Sequence, residues 1–107
     1  MELSTPDVEQ FRQRGYCVRP GFYDQATIQK ISVWLDALKT TPPRDGAEAC
    51  YYELSPATGE ELLVRVEHVL GDHNPEITRL MLTPRLLDAM TDLLGEEPVL
   101  FKEKVNY

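Results

Sequence analysis

The last eight residues, "LFKEKVNY" (Leu100–Tyr107), decide how this chain is read. Apolar and polar side chains alternate there, which is the period of a β-strand. In that geometry Lys102, Lys104 and Asn106 project from one face, and Phe101, Glu103, Val105 and Tyr107 from the other. On an exposed sheet the first set is a solvated lysine face. On a strand that lines a barrel, the same donors point inward. Burying two ammonium groups and an amide without a partner is costly, so an inward face implies a ligand carrying carboxylates or phosphonates.

Upstream of that strand, "TPRLLDAMTDLLG" (Thr83–Gly95) predicts a helix. Thr83 caps it, Pro84 takes its first position and Gly95 stops it, with an apolar stripe of Leu86, Leu87, Met90, Leu93 and Leu94. "GDHNPEITRLML" (residues 71–82) predicts a short helix starting at Asn74-Pro75. "CYYEL" (residues 50–54), the turn "SPATGE" (55–60) and "ELLVRVEHVL" (61–70) predict two strands and their connection. In the longer strand Leu62, Val64, Val66 and His68 share one face, and Leu63, Arg65, Glu67 and Val69 the other.

Nearer the start, "STPDVEQFRQRG" (Ser4–Gly15) has a Ser4 or Thr5 cap, Pro6 near the helix start and acidic residues in the first turn. "YCVRPGF" (residues 16–22) reads as a short extended piece. "DQATIQKISVWLDALKT" (residues 24–40) is the clearest helix, capped by Asp24, with Ile28, Ile31, Leu35 and Leu38 as its buried stripe and Trp34 beside it. The segment at about 39–49, with two prolines and a glycine, predicts a mobile loop. The order of elements is α+β, without the regular alternation of a parallel sheet.

With 107 residues, 42% hydrophobic and 27% charged, the chain fits one small domain or part of a larger one. A formal net charge of −7 argues against binding to nucleic acid or to an anionic membrane, although a few local lysines can still hold a small anion. Cys17 and Cys50 have neither metal-binding nor redox spacing and read as reduced thiols, which points to the cytoplasm. The acidic N-terminus lacks an apolar signal core, and no apolar run approaches a membrane span.

Unaided, no motif specifies catalysis. His68 and His73 stand five apart across Gly71 and match no metal-binding pair. Arg65 and Glu67, two apart on one strand face, are either a surface ion pair or an arginine held by Glu67 at the rim of a pocket. Tyr51, Tyr52 and Glu53 are candidates to line that pocket.

The phrase "LLGEEPVLFKEKVNY", preceded by a leucine-rich helix and far downstream of "FRQRGYCVRPGF", resembles the N-terminal part of the phytanoyl-CoA dioxygenase family. Ectoine hydroxylases and aminoalkylphosphonate hydroxylases are among that family's members. The resemblance covers nearly all of the chain and rests on the order and spacing of motifs that are individually weak. It implies a double-stranded β-helix of the jelly-roll or cupin-like kind, incomplete here, with residues 1–107 forming the N-terminal portion of a single dioxygenase domain. It also implies hydroxylation of a small molecule bearing an anionic or zwitterionic group. Iron(II), 2-oxoglutarate and O2 would be required, and succinate and carbon dioxide released.

By the same resemblance Asn106 and Lys102 contact 2-oxoglutarate, while Lys104 faces the substrate; Arg65 and Glu67, from their place on one strand face, stand beside them as candidate substrate-binding residues. The family's His-x-Asp pair, its distant histidine and its anchoring arginine have no counterpart here, so the iron ligands are expected beyond Tyr107. The fragment alone is then expected to bind no metal and to be inactive. The alternative expectation is a non-catalytic α+β interaction module complete at 107 residues. Oligomeric state has no signature in the sequence.

Overall fold

Ser4 opens the first helix with its own side chain. In the computed structural model, which describes residues 1–42 and 44–107, the Ser4 hydroxyl accepts from the Asp7 backbone N–H while the Asp7 carboxylate accepts from Ser4. This capping box satisfies donors that a helix start otherwise leaves unpaired. Helix α1 (Thr5–Arg14) runs to Gly15, whose φ of 81° gives the left-handed turn that ends it. Asp24 caps α2 (Gln25–Thr40) by accepting from Thr27 N–H, and Thr83 caps α4 (Pro84–Leu94) by accepting from Leu86 N–H. Between them lies α3 (Pro75–Met81), which uses no side-chain cap.

The three strands are β1 (Ala49–Leu54), β2 (Glu61–Glu67) and β3 (Lys104–Asn106). They form one antiparallel sheet in the order β1-β2-β3. Among the described residues the chain is therefore α+β, with four helices and a three-stranded antiparallel sheet.

Two separate cores hold it together. In the first, Leu38 of α2, Val66 of β2, Val69 and Ile77 of α3 are buried, with Ile31, Trp34, Cys50, Leu63, Met81 and Val105 packed on them. Cys50, Val66 and Val105 are in register across all three strands, so one sheet face is apolar from edge to edge and receives α2 and α3. In the second, Leu3, Val8 and Ala89 are buried between α1 and α4, with Cys17, Phe22 and Leu93 around them. The Asp92 carboxylate accepts from the backbone N–H groups of Glu2 and Leu3 at 2.7 and 2.8 Å, strapping the N-terminus to α4. Tyr23 links the two halves by donating to the Met81 carbonyl at 2.9 Å.

Several sequence expectations need correction. The strand expected over 61–70 ends at Glu67, because His68 takes a φ of 59° and leaves the ladder. A bulge between Tyr51 and Tyr52 pairs Tyr52 with Leu63, which moves Leu63 onto the core face and breaks the alternation expected for it. On α2 the buried stripe is Ile31, Trp34 and Leu38, while Ile28 is half exposed. On α4 the contact with α1 closes over Ala89, leaving Leu87 and Leu94 in solvent. "YCVRPGF" forms no strand, and the final strand is three residues long with Phe101 96% exposed before it.

Regular structure enters the expected loop at both ends, at Thr40 and Ala49, and Pro43 lies outside the described residues. Both cysteines are free thiols, and among the described residues no helix is long and apolar enough to cross a membrane.

Candidate functional site

The sheet face that α2 and α3 do not cover is polar. The register sets Tyr51, Arg65 and Asn106 in one row across the strands and Ala49, Glu67 and Lys104 in the next. Because cross-strand partners and residues two apart share a face, the five residues singled out from sequence come together here: Arg65 and Glu67 on β2, Lys104 and Asn106 on β3, and Lys102 just before it.

Glu67 is the centre of the group. Its side chain is only 9% exposed and meets three partners. Lys102 Nζ lies 3.1 Å from Oε1, Tyr51 Oη donates to Oε2 at 3.2 Å, and Arg65 Nε lies 3.5 Å from Oε1. The hydrogen bond from Lys102 does most to hold the carboxyl below its usual range; burial opposes this, and Tyr51 and the positive charges reinforce it. Glu67 is therefore an anion at neutral pH, in register with Lys104 but bonded to its neighbour Lys102.

Arg65 sits over the Tyr51 ring, its guanidinium carbon 4.1 Å from the ring centroid. Its Nε is buried and has no hydrogen-bond partner among the described residues. Lys104 and Asn106 are exposed, and among the described residues neither side chain forms an ion pair or a hydrogen bond with another residue. Three cations against Glu67, and Glu53 further along β1 on the same face, leave this face with a local formal charge of about +1 in a chain of net −7. Its free donors suit an oxyanion.

The turn beyond β2 is shaped by the segment leading into β3. The Glu103 carboxylate accepts from the backbone N–H groups of Val69 and Leu70, which pins the turn after His68. The rings of His68 and His73 are exposed, and His73 Nε2 lies 2.6 Å from the His68 carbonyl. Neither histidine faces a partner ligand, and no group of three metal-ligating side chains converges among the described residues. The described residues thus offer no iron site, whereas the ammonium and amide donors of the open face have the chemistry to meet a carboxylate.

Tyr51 is the member of the group that sequence reasoning could not select. It stood beside Tyr52 and Glu53 as an equal candidate, and only the bulge decides which tyrosine faces Arg65.

Two curated relatives are similar to this chain. A 2-aminoethylphosphonate dioxygenase from an uncultured bacterium is 34% identical over 98 residues, covering 92% of this chain and 37% of that protein. A methylphosphonate hydroxylase from Gimesia maris is 28% identical over 105 residues, covering 98% of this chain and 39% of that protein. The chain thus spans less than two-fifths of the length of these relatives. No family model matches it, and no solved structure does. The resemblance to aminoalkylphosphonate hydroxylases holds across nearly the whole chain, over part of the relatives' length.

Proposed function

We propose that the protein to which these residues belong hydroxylates a small phosphonate or a related anionic compound, using iron(II), O2 and 2-oxoglutarate. The carrying observation is the open sheet face, where Arg65, Glu67, Lys102, Lys104 and Asn106 meet on a local excess of positive charge. The names of the two relatives support the reaction class, since both describe oxygenation of a phosphonate.

In this reading the face is one wall of a double-stranded β-helix, of which residues 1–107 form the first portion of a single domain. Asn106 and Lys102 receive 2-oxoglutarate. Lys104 meets the anionic end of the substrate, with Arg65 and Glu67 at the rim. The wall's task is to bind and orient: an ammonium and an amide facing a carboxylate fix its direction, and a covered face keeps water away from the reacting carbon. Iron, when bound, supplies the oxidation of the C–H bond, and its protein ligands belong to sequence outside these residues.

The test is oxygen uptake by the full-length protein with iron(II) and 2-oxoglutarate, with and without 2-aminoethylphosphonate or methylphosphonate. Succinate and a hydroxylated phosphonate should form in equal amounts. If an iron-replete sample neither binds nor consumes 2-oxoglutarate, the proposal fails.

A further inference from the structure

Glu67 is placed differently from the other members of the polar face. Lys102, Lys104 and Asn106 are exposed donors and Arg65 is half-buried, whereas Glu67 is a nearly buried acceptor that touches Lys102, Arg65 and Tyr51 together. Resting on the reading above, we propose that Glu67 is a positioning residue that holds the two sides of the site in common: Lys102 toward 2-oxoglutarate and Arg65 toward the phosphonate. The ligand class on both sides is a dianionic oxyanion.

The geometry carries this in three steps. An ammonium has three N–H donors, so Lys102, with one engaged by Glu67 at 3.1 Å, keeps two for a ligand. Its flexible stem no longer has to be ordered when that ligand arrives, which lowers the cost of binding. Arg65 is fixed on both sides, by the Tyr51 ring beneath it and by Glu67 at 3.5 Å. Its Nε is buried against Glu67 without a hydrogen bond, so what it can present to an anion is the far edge of the guanidinium. Tyr51 closes the set by donating to the second carboxylate oxygen, which fixes the rotamer of Glu67. Lys104 stands in register with Glu67 but bonds to no member of the set, so it acts on its own.

This arrangement separates residues that a simple basic patch would make equivalent. In a patch, each cation adds a similar increment and removing the one anion strengthens anion binding. In the positioning arrangement, removing the anion weakens binding on both sides.

The experiment is anaerobic calorimetry on the full-length, iron-loaded protein, titrated separately with 2-oxoglutarate and with methylphosphonate. Lys102→Met should weaken 2-oxoglutarate by about tenfold and leave methylphosphonate within about twofold; Lys104→Met should do the reverse. Glu67→Gln should weaken both by about tenfold, and Glu67→Asp should restore part of each loss. For 2-oxoglutarate, the double variant of Glu67→Gln with Lys102→Met should fall short of additivity by about threefold or more, while Glu67→Gln with Lys104→Met should be additive. Glu67→Gln binding either ligand as tightly as the wild type, or more tightly, would overturn the proposal.

If Glu67→Gln does not fold, Tyr51→Phe tests the same link. It removes one hydrogen bond to Glu67 and should weaken both ligands in the same direction by a smaller factor; unchanged affinities would again overturn the proposal. A wild-type protein that binds both ligands with this pattern, yet hydroxylates no phosphonate, refutes the assigned reaction and leaves the role of Glu67 standing. A wild-type protein that binds neither refutes both.

Discussion

Glu48 shows how a single side chain can tie a loop to a core. Its side chain is 4% exposed and accepts hydrogen bonds from Arg44 and from Asn74 Nδ2, the latter at 2.7 Å. Asn74 also donates to the Val69 carbonyl at 2.8 Å, so the carboxylate, the loop and the turn before α3 form one network. Burial pushes the carboxyl up, but the hydrogen bonds from Arg44 and Asn74 outweigh it and hold the group at about 2, against 4.5 for an ordinary glutamate. Its folded value lies below its unfolded value, so its stabilisation is complete above pH 4.5 and is lost as pH falls toward 2. That loss is on the order of 3 kcal/mol. Urea unfolding of wild type and Glu48→Gln across that window measures it. The wild type should lose stability faster than the variant as acid is added; parallel pH slopes would refute the assignment. Glu67 contributes in the same direction, present at neutral pH and lost on acidification, because its carboxyl too is held low.

At the scale of elements, local signals were legible and the partners of each face were not. Ser4, Asp24 and Thr83 cap their helices, and Gly15 and Gly95 end theirs, as the sequence suggests, because capping depends on neighbours three residues away. The apolar stripe of α4 is wider than its contact for a physical reason: α1 approaches closely only where a small residue, Ala89, lets it. This yields a prediction opposite to one drawn from hydropathy. Leu87→Ala should change stability by less than about 0.5 kcal/mol. Ala89→Leu, which adds apolar bulk, should cost about 1–3 kcal/mol by overpacking. Ile77→Ala, at 0% exposure in the other core, should cost about 2–5 kcal/mol. Chemical denaturation of the three variants decides it, and a Leu87→Ala loss as large as that of Ile77→Ala would show that the whole stripe is buried. The site divides in the same way. Period two put Lys102, Lys104 and Asn106 on one side and Arg65 with Glu67, but the meeting of these two sets depends on strand register. The link through Tyr51 depends on a bulge that no residue announces.

The whole molecule has more surface than its mass calls for. A free-standing monomer of 12.2 kDa exposes about 6,100 Å², whereas this chain exposes 7906 Å². Its radius of gyration is 16.6 Å, against about 13 Å for a compact domain of this length. The cause is visible in the cores: among the described residues only seven apolar ones are buried, and they are divided between two clusters. Much of the uncovered apolar surface lies along one run, with Leu94, Val99, Leu100 and Phe101 all exposed and Val99 and Phe101 nearly bare. A run of that kind between α4 and β3 is unusual on a soluble monomer unless other protein covers it. The open polar face lies on the strand that follows directly, so whatever covers the run also comes close to the site. This predicts that residues 1–107 expressed alone bind a hydrophobic dye and unfold over a broad range. The full-length protein should bind less dye and melt cooperatively. Phe101→Ser makes the test specific. In the isolated chain it should reduce dye binding without loss of stability, since Phe101 rests against little there. In the full-length protein it should destabilise by about 2 kcal/mol or more, the scale of a buried aromatic lost to a polar residue. Equal, negligible effects in both would show that Phe101 stays in water and that residues 1–107 hold their fold without a covering partner at this edge.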